Sequence, residues 1–218
     1  RRGVGTCGTA WADKIAAARN SRPGACVERH RMQQQQAFAV VDVETTHGDP
    51  MQGHIIELAV LVHDGERELE AWSSFVRPRT PVPRFITQLT GINEPMLREA
   101  PIFPEVARSL MELTRDRLMV AHNIRYDMTS LEHEFARTGL VLERNTLCTE
   151  KLSRALVPNL SHYNLGSLCR YFGIPFEGRH RALNDARAAL QLFLRLRSEF
   201  GDERLRSMST VWPVQKRA

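Results

Sequence analysis

The sequence predicts an α/β protein, a mixed sheet covered by helices, and three observations carry that prediction. A two-residue alternation of apolar side chains begins at residue 37 and recurs in three early runs. From about residue 101 onward, apolar residues recur at three- and four-residue spacing, in segments separated by short apolar runs. Strands first, then helices alternating with strands, is an order that builds one mixed sheet with helices packed on it.

Taken in order, "AFAVVDVETTHGDP" (37–50) opens as a strand with Phe38, Val40, Asp42 and Glu44 on one face and Ala39, Val41 and Val43 on the other. "HIIELAVLVHDGERELEAWSSFVRP" (54–78) gives two further runs broken at Asp64-Gly65, a hairpin signal, so the first three strands are expected to form an antiparallel meander. Pro78, Pro81 and Pro83 stop the sheet. "RFITQLTGINEPML" (84–97) then reads as short helical pieces and "PIFPEVARSLMELT" (101–114) as a fuller helix. "RLMVAHN" (117–123) is a short buried strand. It leads into a helix striped by Ile124, Met128, Leu131 and Phe135 and ended by Gly139. A brief strand at "RNTLC" (144–148) and a helix over Thr149 to Leu156 follow. "YNLGSLCRYFGI" (163–174) places Leu165, Leu168, Cys169 and Phe172 on one helical face, and a final helix runs from Ala182 to Phe200, capped by Gly201.

With 218 residues and 42% hydrophobic content, the chain is sized for one globular domain with a real core. No apolar run approaches the roughly 18 residues of a membrane span, so a soluble protein without a membrane partner is expected, and the scattered cysteines, read as reduced, make a cytoplasmic one the expectation. The net charge of +5 suggests nucleic acid only at first sight. Seven of the 30 basic residues and two of the 25 acidic ones fall in 1–36, leaving 23 of each in the body, whose bulk charge therefore selects no partner. Residues 1–36, rich in Arg, Gly and Ala and closed by four glutamines, read as a disordered basic extension without chemistry; 37–201 is the expected domain and 202–218 an expected disordered tail. Cys7, Cys26, Cys148 and Cys169 lack metal-type spacing, and Cys148 and Cys169 are expected to be reduced core residues.

The chemistry lies in misplaced carboxylates. The first strand's Phe38 and Val40 face ends in Asp42 and Glu44, with no Lys or Arg in the segment to offset them. Asp127 sits in the first turn of its helix beside the apolar stripe. Asp185 shares a helical face with Ala189, Leu192 and Leu196, whereas Asn184 falls on the wet side. Four such groups would repel one another if they met, and divalent metal is the simplest compensation; an all-oxygen set suits Mg²⁺ or Mn²⁺. Two such ions can activate water and stabilise a leaving oxygen in phosphodiester cleavage. His180, five residues before Asp185, is available as a base.

"DVETT" (42–46), "AHNIRYD" (121–127) and "HRALNDA" (180–186) resemble, in order and spacing, the three motifs of the DEDDh 3′-to-5′ exonucleases, DnaQ-like proteins of ribonuclease H-like fold. The resemblance spans roughly 37–200. It implies a five-stranded mixed sheet, three antiparallel strands and then parallel ones, flanked by helices. It implies that Asp42, Glu44, Asp127 and Asp185 hold two metal ions and that His180 is the general base. By position, Thr45 and Thr46 would meet the 3′-terminal nucleotide, with Glu44 near its 3′ hydroxyl. His122 and Asn123 would shape the site, and Tyr126 would offer a ring to sugar or base. Leu89 and Thr90, in "LTGIN", would pack on the terminal base. Three positions depart from the family pattern. His47 stands where Gly usually follows the two Thr, so a bulge or shifted turn is expected; Ile124 replaces a smaller residue and Asn184 an Asp.

The implied activity is removal of nucleotides from a 3′ end, releasing nucleoside 5′-monophosphates, with single-stranded DNA ahead of RNA and a polymerase subunit as a possible partner. A silent nucleic-acid-binding module would have no use for the self-repulsion of an intact tetrad. A glycosidase needs two carboxylates, not four.

Overall fold

The computed structural model describes residues 37–213; the expected basic extension, with Cys7 and Cys26, lies outside them. Three strands open the domain: β1 (Phe38–Thr45), β2 (Ile55–His63) and β3 (Glu68–Phe75). They pair antiparallel in chain order, as the alternation predicts. The Asp64-Gly65 signal works through its own chemistry. Asp64 Oδ1 accepts the N–H groups of Glu66 and Arg67 at 2.8 and 2.9 Å, and Gly65 takes φ +100°, which a side chain would resist.

Helices α1 (Arg84–Thr90), α2 (Glu94–Leu97) and α3 (Phe103–Leu113) follow, then β4 (Leu118–Ala121) and α4 (Ile124–Thr138). Next come β5 (Arg144–Cys148), α5 (Thr149–Leu156), α6 (Leu165–Phe172) and α7 (Ala182–Phe200). β4 runs parallel to β1, and β5 parallel to β4. Gly139 ends α4 in the left-handed region, and its N–H returns to the helix carbonyls.

Alternation along β1 feeds two cores. Ala39, Val41 and Val43 pack with Phe103, Leu110, Met128 and Phe135 of α3 and α4. Phe38 and Val40 pack with Leu152, Leu168, Leu192 and Phe193 of α5, α6 and α7. The sheet is therefore covered on both faces, and every residue of β2 is buried. A smaller cluster of Ile56, Ile86, Ile92 and Leu97 seats α1 and α2 beside the start of β2. Cys148 and Cys169 are free and buried, as expected. Among the described residues no helix is long and apolar enough to cross a membrane.

The expected tail and strand count need correction. α8 (Asp202–Arg206) and β6 (Thr210–Trp212) continue the domain, and the sheet has six strands in the order β3-β2-β1-β4-β5-β6. Leu205 is fully buried in the α7 core, and Asp202 is bonded to both Arg197 and Arg206. Trp212, inside the expected tail, packs against the α3–α4 core, while Thr146 Oγ1 bonds the Thr210 carbonyl at 3.0 Å. β6 is only three residues long, too short for periodicity to reveal, and it satisfies backbone groups that β5 would otherwise expose.

Candidate active site

The carboxylates converge at the C-terminal end of β1. Asp42 and Glu44 continue the Phe38 and Val40 face, and their carboxylates make no hydrogen bond or ion pair with any described residue. Asp127, in the first turn of α4 and 3% exposed, accepts the N–H of Val43 at 3.2 Å, which fixes it beside β1. Asp185, in the first turn of α7, accepts the N–H of His180 at 3.2 Å. His180 itself holds φ +63°, uncommon for a residue with a side chain, and it turns the chain so that its ring meets the carboxylates. One donor atom each from Glu44, His180 and Asp185 lies within 4.8 Å of the others.

Burial is the main reason these acids resist ionisation. It pushes Asp42 well above the usual carboxylate range, with Asp127, Asp185 and Glu44 adding repulsion. Asp127 is raised well above that range too, against the pull of backbone N–H groups. Glu44 is pushed up to about 8 by burial, Asp185 and Glu57, with Arg181 opposing, and Asp185 to about 6. Burial and then Arg179 hold His180 below the usual histidine value. Acids raised together in this way favour either protons or cations. Carboxylate oxygens with one imidazole beside them fit Mg²⁺ or Mn²⁺ by donor chemistry.

The turn after β1 answers what His47 does in place of a glycine. Its carbonyl accepts from Thr45 Oγ1 at 2.7 Å and from Tyr126 Oη at 2.8 Å, and its Nδ1 accepts the N–H of Asp49 at 2.9 Å. The strand pairing is irregular ahead of Thr45 and not at His47 itself. The β1–β2 register shifts between Glu44 and Thr45, where Ile56 is the extra residue on β2. Asn184, the second polar departure, donates its amide to the Gly178 carbonyl at 2.9 Å, a bond an ionised Asp could not donate.

The remaining expected contacts divide. Leu89 is half exposed on α1, open to a ligand. Thr90 is buried, its hydroxyl donating to the Ile86 carbonyl and accepting the Ile92 N–H. Thr46 is buried, accepting the His54 N–H, and Thr45 joins the Tyr126 and His47 knot. These threonines shape the strand end with their hydroxyls already bonded. His122 is held by Thr149 at 2.9 Å and pushed down to about 4 by burial, and with Asn123, at φ +58°, it lines a polar cavity of about 400 Å³. Sequence reasoning missed Glu57 and Arg181. Glu57 is a buried acid directly across the ladder from Glu44, bound by Arg181 at 2.9 Å. One carboxylate inside the apolar run "HIIELAVLVH" was the available signal.

A mixed sheet of this topology with acids at the end of its first strand has the ribonuclease H-like architecture of nucleases. Exonuclease X in complex with 5′ overhanging duplex DNA superposes with a TM-score of 0.65 at 24% identity, over 78% of this chain and 98% of that one, a likeness of fold. A family model described as Exonuclease matches residues 39–193. The DNA polymerase III subunit epsilon of Aquifex aeolicus (strain VF5) is 32% identical over 163 residues, 74% of this chain and 81% of that protein. A PolC-type DNA polymerase III of Caldanaerobacter subterraneus subsp. tengcongensis is 32% identical over 174 residues, 80% of this chain but 12% of that protein's length. The chain belongs to this exonuclease family, in its DnaQ-like 3′-to-5′ branch.

Proposed function

We propose that the chain shortens single-stranded DNA from its 3′ end, in preference to RNA, releasing nucleoside 5′-monophosphates, in the cytoplasm and alongside a DNA polymerase. One observation carries the chemistry: Glu44, Asp185 and His180 bring donor atoms within 4.8 Å of one another, and buried Asp42 and Asp127 lie near enough to feel the charge of these acids. The DNA preference draws support from relatives named as DNA polymerase III proteins, one matched over 81% of its length.

Asp42, Glu44, Asp127 and Asp185 would hold two divalent cations, which when bound neutralise the acids and the charge growing on the attacked phosphate. His180, neutral near pH 7 because burial and Arg179 disfavour its cation, accepts the proton of the attacking water. The water oxygen bonds to phosphorus and the bond from phosphorus to the 3′ oxygen of the shortened strand breaks. Asp185, bonded to the His180 N–H, keeps that turn aligned with the acids. Leu89 and the Tyr126 ring flank the place for the terminal nucleotide.

Matched labelled DNA and RNA strands test the reading. Trimming from the 3′ end should require Mg²⁺ or Mn²⁺, proceed faster on DNA, and vanish with EDTA or Asp42→Ala. Intact strands of both kinds with either metal would overturn it. His180→Ala should retain metal binding but lose about 10²- to 10⁴-fold in turnover; turnover equal to the unsubstituted chain would remove His180 from the mechanism.

A further inference from the structure

Glu57 is the one ionisable side chain between the terminal histidine of β2 and its start, and it faces the acids. Arg181, the residue after His180, grips it with both arms: Nε lies 3.3 and 3.2 Å from the two carboxylate oxygens and Nη2 lies 2.9 Å from Oε1. The N–H of Ala182 donates to Oε2 at 2.9 Å, so the same carboxylate caps α7, which has no side-chain cap of its own. The guanidinium also lies over the Phe75 ring, 5.4 Å from its centre. Glu57 thus fastens to the sheet the start of the helix that carries Asp185 and the residue next to His180.

The same guanidinium is a hazard to the site. Arg181 and Glu44 lie close enough to feel each other's charge, and Glu44 has no partner of its own. An arginine released from Glu57 would find Glu44 across the ladder and occupy the place of a cation. We propose that Glu57 and Arg181 are positioning residues: their pair presents His180 and Asp185 and keeps the arginine off the acidic cluster, leaving the cluster free for divalent cations. This rests on the metal-dependent reading above.

Mn²⁺ binding measured by calorimetry without nucleic acid tests it. The unsubstituted chain must bind Mn²⁺; failure there would remove the metal reading itself. Glu57→Gln should weaken Mn²⁺ affinity about 10-fold, the usual scale for residues that orient metal ligands. Adding Arg181→Met to Glu57→Gln should restore affinity to within about threefold, since replacing a buried pair is far milder than leaving one charge alone. Turnover of the double variant should stay low, because the turn at His180 has lost its anchor. Unchanged affinity in Glu57→Gln, or a double variant binding no better than the single, overturns the proposal. Should Glu57→Gln not fold, Arg181→Lys takes its place, because lysine keeps the charge without the two-armed grip. It should weaken Mn²⁺ binding, and unchanged affinity there overturns the proposal equally.

Discussion

Asp127 and Glu134 stand two turns apart on α4, 3% and 6% exposed, and the chain treats them in opposite ways. Glu134 is enclosed by basic side chains: Arg137 Nη1 lies 2.7 Å away and His54 Nδ1 3.0 Å, while His133 braces the same arginine at 2.8 Å. Asp127 receives the Val43 N–H and no basic side chain, and its neighbours in charge are Glu44 and Asp185. Where burial serves the fold, the protein supplies the counter-charge from its own residues. Where burial serves the proposed site, it withholds one, and on that reading the cost of the uncompensated charge would become affinity for a cation.

That contrast can be broken most decisively by activity. Asp127→Asn should take 3′ trimming below detection, whereas Glu134→Gln should keep most of its turnover per folded molecule. Comparable losses in both would mean that the two acids share one role. Stability should respond in the reverse sense. In metal-free chain unfolded by urea, Glu134→Gln should cost about 3 kcal/mol, because it strands Arg137 in a partly buried site. Asp127→Asn should be neutral or stabilising, since an amide oxygen can still accept the Val43 N–H without the repulsion. A loss in Asp127→Asn as large as that in Glu134→Gln would contradict the idea that its charge is uncompensated.

The smallest effect sharpens the same point through pH. Glu44 keeps its proton in the folded chain until about 8, while the unfolded chain releases it near 4.5. The stabilisation from that extra proton is complete below 4.5 and lost as pH rises through 8. His122 and His180 are shifted downward, so their stabilisation is lost only as pH falls below 6.5. Above 6.5 the carboxylate effect dominates. Metal-free stability should fall by about 1.4 kcal/mol per pH unit for one such proton, and saturating Mn²⁺ should flatten the slope. A flat metal-free profile between 6.5 and 8 would show that the acids ionise without penalty.

The strand and helix order was legible because both periods are long and clean. Phe38 and Val40 lead straight to Asp42 and Glu44, and the helical phase that puts Asp185 with Leu192 and Leu196 holds, all three facing the sheet. Asn184 is exposed as that phase requires, although Ala188, one turn further along the same side, is buried. What escaped depends on partners distant in sequence. Glu57 looks like an isolated fault in an apolar strand until Arg181, 124 residues later, closes on it. Thr90 and Thr46 look free to meet a ligand until the fold shows their hydroxyls bonded to nearby backbone. Residues 210–212 carry too few side chains for alternation to register, and only their pairing with β5 makes them a strand.

That last strand changes where the domain can be cut. A fragment ended at Gly201, the boundary periodicity suggests, would strip β6 from the sheet and bare a row of unpaired amides and carbonyls along β5. It would also remove Leu205 and Trp212, opening gaps under both cores. Such a fragment would keep all five site residues and still be poorly soluble, since its newly open edge would recruit the same edge of another molecule. Recombinant work on the nuclease is therefore best carried past Trp212, with the sheet's sixth strand treated as its seal.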